Sequence, residues 1–168
     1  YFENSFVLED LILLFIDMIE FYAMNKNNDF ESYPDVSYYV MGDVDDYFAP
    51  GNEWRHAEEW PIPSNEVSWY LHEGEVLSKN ISENSDPLEY LYDPTNPVPT
   101  IGGQNLELPP GPYDQRPVEN RSDLLIFTSE ILNEPLEATG QIKANLYVSS
   151  DCPDTDFTVK ITDVYPDG

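Results

Sequence analysis

GQIKANLYV, residues 140–148, changes side-chain character at every step: Ile142, Ala144, Leu146 and Val148 fall on one face, Lys143, Asn145 and Tyr147 on the other. A period of two places successive side chains on opposite sides of a pleated strand, so this stretch predicts a strand with one face against a core and one in water. Working outward, Val67–Leu71, Leu88–Tyr92, Leu124–Thr128 and Phe157–Val164 are further short β-branched or aromatic runs, and they too predict strands. Turn signals separate them: Glu73-Gly74, Asp93-Pro94, Gly102-Gly103, Pro109-Pro110-Gly111 and Asp151-Cys152-Pro153. Short strands joined by such turns favour a β-sandwich.

Upstream of Glu66 the character differs. Residues from about Ser5 to Met24 predict a helix, capped by Asn4 or Ser5, with Glu9 and Asp10 at the positive end of its dipole. Leu8, Leu11, Ile12, Phe15, Ile19 and Tyr22 form an apolar stripe that Leu13, Leu14, Ile16 and Met18 widen, so the helix is expected to be buried on more than one side. Val36–Met41 (VSYYVM) follows as a buried strand, and the pair reads as the closing helix and strand of an α/β domain. Asp43–Pro63 is read as an acidic loop that holds Trp54 and Trp60. The boundary falls near residues 61–66, which divides the chain into residues 1–62 and residues 63–168.

Composition bounds the function. Large apolar side chains are abundant (40% hydrophobic, 14% aromatic), so the chain folds, alone or as part of something larger. Thirty-three acidic residues against seven basic ones give a formal net charge of -26. Phosphate recognition needs clustered Lys and Arg, which excludes nucleic acid as a partner, and an anionic membrane would repel the chain. The excess of carboxylates fits either a solvated acidic surface or a high-salt habitat in which counterions screen self-repulsion. Asp43, Asp45 and Asp46 lack the offsets of a calcium loop. The apolar run Leu11–Ile16 is too short to span a bilayer, and no basic leader opens the chain. Cytoplasmic and secreted locations both fit a soluble chain of this kind.

Few groups offer chemistry. None of the eight glycines builds the glycine-flanked serine of a nucleophile elbow. His56, between Trp54 and Trp60, is read as packing rather than as a base, although Glu58 or Glu59 could orient it. His72 is read as a turn residue beside Glu73-Gly74. The two histidines lack the short spacing of a metal site, and the single Cys152 has no histidine nearby to activate it. Asp154 and Asp156 are read as turn-stabilising, and Asp114, Arg116, Glu119 and Arg121 as an ion-pair network. No catalytic, cofactor or metal residue is expected.

Six blocks in order resemble one family: VSYYVMG (Val36–Gly42), NEWRHAEEWPIP (Asn52–Pro63), WYLHEGEVLS (Trp69–Ser78), YLYDPTNPVPTIGG (Tyr90–Gly103), GPYDQRPVENRSDLLIFTSEIL (Gly111–Leu132) and LEATGQIKANLYVSSDCPDTDFTVKITDVYPDG (Leu136–Gly168). They are similar to the CocE/NonD serine hydrolases, whose C-terminal domain is shared with X-Pro dipeptidyl-peptidases. Asp43–Gly51 stands apart as an acidic insertion.

The resemblance implies the last helix and strand of an α/β-hydrolase domain, then a mostly β, galactose-binding-like jelly roll that is incomplete at Pro166-Asp167-Gly168. It implies a Ser-Asp-His triad upstream of Tyr1, an ester or amide substrate for the intact enzyme, and the upstream hydrolase domain as partner. It leaves room for oligomers. Trp54, His56, Trp60 and Trp69 are then expected at the domain junction or on a pocket wall. The competing reading of the residues is a free-standing carbohydrate-binding jelly roll. Against it stands the opening helix and strand, which a lectin does not need.

Overall fold

The computed structural model describes residues 8–43, 45–46, 48–83 and 86–166. The chain divides into two compact units, one of residues 1–65 and 135–142 and the other of residues 66–134 and 143–168. The β-rich reading holds at the level of class: short strands outnumber helices, and no helix among the described residues is long and apolar enough to cross a membrane.

In the first unit, α1 spans Leu8–Tyr22, with Glu9 and Asp10 in its first turn. The expected caps, Asn4 and Ser5, lie outside the described residues. Past its end a 3-10 turn, Asp29–Ser32, folds back on the helix. Asn28 accepts from the Phe30 amide at 3.2 Å and donates to the Asp17 carbonyl at 2.9 Å. Phe21 and Tyr22 meet Phe30 with ring centroids 5.8 and 5.6 Å apart. Burial on several sides does not occur. Leu11, Ile12, Leu13, Phe15, Ile16, Ile19 and Tyr22 are 40–73% exposed, because among the described elements the short turn alone packs against the helix.

Strand β1 spans Val36–Val40 and pairs antiparallel with β2, Glu53–Ala57, in the register Ser37↔His56 and Tyr39↔Trp54. This corrects two readings. Residues 43–63 are not all loop, since the acidic composition hid a strand that β1 recruits. β1 itself is half-buried rather than buried, because a two-stranded ribbon covers no face of its own. The turn back is braced by Asn52, which accepts from the Gly42 amide at 3.1 Å and donates to the Asp43 carbonyl at 2.6 Å. Gly51 sits at φ 95° with its missing Cβ only 2.7 Å from the Met41 carbonyl oxygen, so glycine is required there.

In the second unit, β3 (Tyr70–His72) and β4 (Val76–Ser78) form an antiparallel hairpin, and β5 (Thr128–Ser129) joins β4 in parallel. α2 is a single turn, Arg116–Glu119, and its Val118, 7% exposed, is the one buried large apolar side chain among the described residues. The strands expected at Val67–Leu71 and Leu124–Thr128 are displaced toward their C-terminal ends. Those expected at Leu88–Tyr92, Gly140–Val148 and Phe157–Val164 have no ladder. Alternation decides which side chains share a face, but a strand exists only where another backbone supplies its N–H and C=O partners. Ile142, Leu146, Val148, Val159, Ile161 and Val164 are accordingly 40–64% exposed.

Candidate functional site

In the β1–β2 ribbon, Ser37, Tyr39, Trp54 and His56 share one face by strand alternation, and Val36, Tyr38, Arg55 and Ala57 share the other. On the first face Tyr39 meets Trp54 edge-on, with centroids 5.5 Å apart, and Ser37 Oγ lies 3.0 Å from His56 Nδ1. On the second face Tyr38 meets Trp60 at 5.9 Å. The sequence grouped Trp54, His56 and Trp60. The pleat keeps Trp54 and His56 together and pairs Trp60 with a residue of the opposite face. Glu31, Tyr33, Asp35 and Glu58 line an open cleft with His56. Trp69 lies in the other unit, where the Lys79 ammonium sits 5.0 Å from its ring centroid. His72 donates through Nε2 to the Asn80 carbonyl at 2.9 Å, beside the Glu73-Gly74 turn.

Arg55 is the hub of the second face. It binds Glu53 at 2.7 Å and Glu137 at 2.8 Å. Both hydrogen bonds hold the guanidinium protonated. The Thr139 hydroxyl, and after it Arg55, hold the Glu137 carboxyl below its ordinary range. Sequence reading missed this site, because a contact across so many residues leaves no local signal.

The expected network around residues 114–121 includes two ion pairs, one of which reaches Asp123. Arg116 closes on Asp114 at 2.7 Å, both well exposed, and its guanidinium keeps that carboxyl low. Arg121 binds Asp123 at 2.6 Å and donates to the Asn96 carbonyl at 2.6 Å. It lowers the Asp123 pKa in the same way. Asp93 is held low mainly by the Thr95 hydroxyl and amide. Gln115, between the pairs, donates to the carbonyls of Ile101 and Tyr113 at 3.1 and 2.7 Å and accepts from Lys160.

Among the described residues, the carboxyls with displaced pKa values are displaced downward, and Tyr33 is displaced upward by its hydrogen bond to Asp17. A group that transfers protons near neutrality needs the opposite adjustment of an acid. Ser37 stands inside a strand, not on the sharp strand-to-helix turn that presents a nucleophile. Among the described residues, no three His, Cys, Asp or Glu side chains could hold a metal ion together. Cys152 is exposed.

Comparison with known proteins gives the family. Residues 28–168 match the model described as the X-Pro dipeptidyl-peptidase C-terminal non-catalytic domain. The chain is 42% identical over 147 residues to cocaine esterase of a Rhodococcus species, an alignment covering 80% of this chain and 24% of that protein. Proteins named as serine esterases in Mycobacterium bovis and Mycobacterium tuberculosis are each 29% identical over 153 residues, covering 89% of this chain and 23% of theirs. The chain therefore spans about a quarter of the length of these curated relatives. No solved structure matches it. A family model over most of the chain, and esterase relatives aligned along most of its length, show that it belongs to the X-Pro dipeptidyl-peptidase C-terminal non-catalytic domain family, as the C-terminal region of a CocE/NonD-type protein.

Proposed function

We propose that this region is the non-catalytic buttress of a serine hydrolase that cleaves ester or amide bonds with a Ser-Asp-His triad carried elsewhere in the polypeptide. The observation that carries the reading is the 42% identity to cocaine esterase across 80% of the chain, within a region whose family model is described as non-catalytic. The absence of a glycine-flanked serine from the sequence supports it. The Asp123 and Glu137 carboxyls, each held below its ordinary range by an arginine or a hydroxyl, fit the same reading. In such an enzyme the acyl-transfer chemistry belongs to the triad and its oxyanion hole.

The architectural part of the proposal is a jelly-roll sandwich completed by strands from the rest of the polypeptide. Residues 140–148 and 157–164 have alternating faces and no ladder among the described residues, which suits their backbone groups to such pairing. Trp54, Trp60 and Trp69 are then candidate contact residues, because aromatic side chains offer large apolar area with few torsions to fix.

The test uses a fluorophosphonate probe and a p-nitrophenyl ester. The full-length protein should turn over the ester and carry the label on a serine outside residues 1–168, whereas this region alone should do neither. A covalent label on any serine within residues 1–168 sinks the proposal.

A further inference from the structure

The loop from Gly103 to Gly111 is built with more care than its exposure explains. Its ends are locked by two reciprocal backbone hydrogen bonds, Gly103 N to Gly111 O at 2.7 Å and Gly111 N to Gly103 O at 3.0 Å. Inside it, Asn105 donates to the Gly102 carbonyl at 2.8 Å and accepts from the Leu108 amide at 2.6 Å. Pro109 and Pro110 restrict the returning limb. The base is fixed as well. Gly102 is buried at φ 63° against Tyr113 and the Gly111 carbonyl, and Gln115 holds the preceding carbonyl of Ile101.

What this frame holds up is apolar. Leu106 is fully exposed at 103%, and Leu108 is 44% exposed. The stretch is also nearly uncharged: Glu107 is the one charged residue from Pro97 to Tyr113, in a chain that is 24% charged overall. Fixing a loop costs conformational entropy, and a leucine held in water returns nothing for it. Compact surface loops closed at the base are frequently functional elements.

We propose that this loop is a preformed docking element whose Leu106 inserts into an apolar surface of the catalytic portion of the same polypeptide. The proposal rests on the reading above, that this region works beside a catalytic portion. Two observations favour that occupant. The chain spans about a quarter of its curated relatives, so most of such a polypeptide lies outside the structure. The stretch from Pro97 to Tyr113 carries a single carboxylate on a chain of net charge -26, so docking through these residues desolvates few carboxylates of their own. A frame already closed needs little further ordering on contact, which preserves affinity.

The experiment uses the full-length protein with Leu106→Met, Leu106→Ala and Leu106→Glu. It reads the half-life of ester turnover during heating, together with calorimetric unfolding. Burial of a leucine side chain predicts that Leu106→Ala shortens the half-life about tenfold, that Leu106→Glu shortens it further, and that Leu106→Met stays within about twofold. Calorimetry should show the unfolding temperature falling in the same order. Equal half-lives and unfolding temperatures for all four proteins overturn the proposal. An effect that disappears on dilution overturns it in favour of a second copy of the chain.

Hydrogen exchange at the Gly103 and Gly111 amides checks the loop itself. Protection retained in Leu106→Ala supports docking, and protection lost there assigns Leu106 to loop stability and overturns it. A full-length protein that turns over no ester sinks the proposed function alone, because calorimetry still reads the docking.

Discussion

Arg55 Nη1 and Glu137 Oε2 stand 2.8 Å apart although 82 positions separate the two residues in the chain. The pair fastens the 135–142 segment to the β1–β2 ribbon of the first unit, and Thr139 secures Glu137 from behind with a 2.8 Å hydrogen bond. Both side chains are about two-fifths exposed, so salt and water weaken the attraction. Arg55→Met should leave the ribbon intact and free the segment. Proteolysis between residues 132 and 142 should quicken, while global unfolding changes little. Unchanged cleavage would show that other contacts hold the segment.

Acid should act on the Arg121–Asp123 pair in a defined direction. The Asp123 carboxyl is held below its ordinary range by the guanidinium, so its folded-state pKa lies under the unfolded one. The pair's contribution is therefore complete above the ordinary aspartate range near pH 4 and is lost as pH falls through the depressed value. Asp123→Asn should be less stable than the parent at pH 7, with the gap closing at lower pH. A gap that stays constant from pH 7 to pH 2 would contradict the assignment.

Gly102 and Gly103 are neighbours with different tolerances. A Cβ on Gly102 would lie 2.4 Å from the Gly111 carbonyl oxygen, whereas one on Gly103 meets nothing within 4 Å. Both have positive φ, so each alanine carries a similar backbone cost of about 1–2 kcal/mol. Gly102→Ala adds an overpacking penalty of about 1–3 kcal/mol against backbone that cannot swing aside. Urea unfolding of the two variants should separate by that amount. Equal midpoints would mean that the 103–111 bridge shifts freely.

Charge sets the fourth expectation. With a net charge of -26, self-repulsion opposes the compact state, and the Debye length falls from about 10 Å at 0.1 M salt to about 3 Å at 1 M. Thermal unfolding should move upward through that range in potassium chloride. A flat or falling midpoint would show that the surface carboxylates are spaced too widely to matter.

Much of the class and one long helix were legible. The apolar periodicity of residues 8–22 gave α1, and VSYYV gave β1. The boundaries of β3 and β5, and the existence of β2, were not. EWRHA carries no run of β-branched residues, and it becomes a strand because β1 offers it a ladder and Trp54 finds Tyr39 across the ribbon. The same dependence on a partner works in reverse at residues 140–148, where a clean alternation yields no strand.

By itself the sequence determined the family, the acidic composition, turns such as Glu73-Gly74 and the lack of a glycine-flanked serine, since each is written in contiguous residues or in their count. Only the tertiary structure decided which strands exist, that Arg55 finds Glu137, that His56 finds Ser37, and that a closed loop holds Leu106 out into water. Those depend on which distant backbone or side chain completes a hydrogen bond, and residue order does not encode that distance locally.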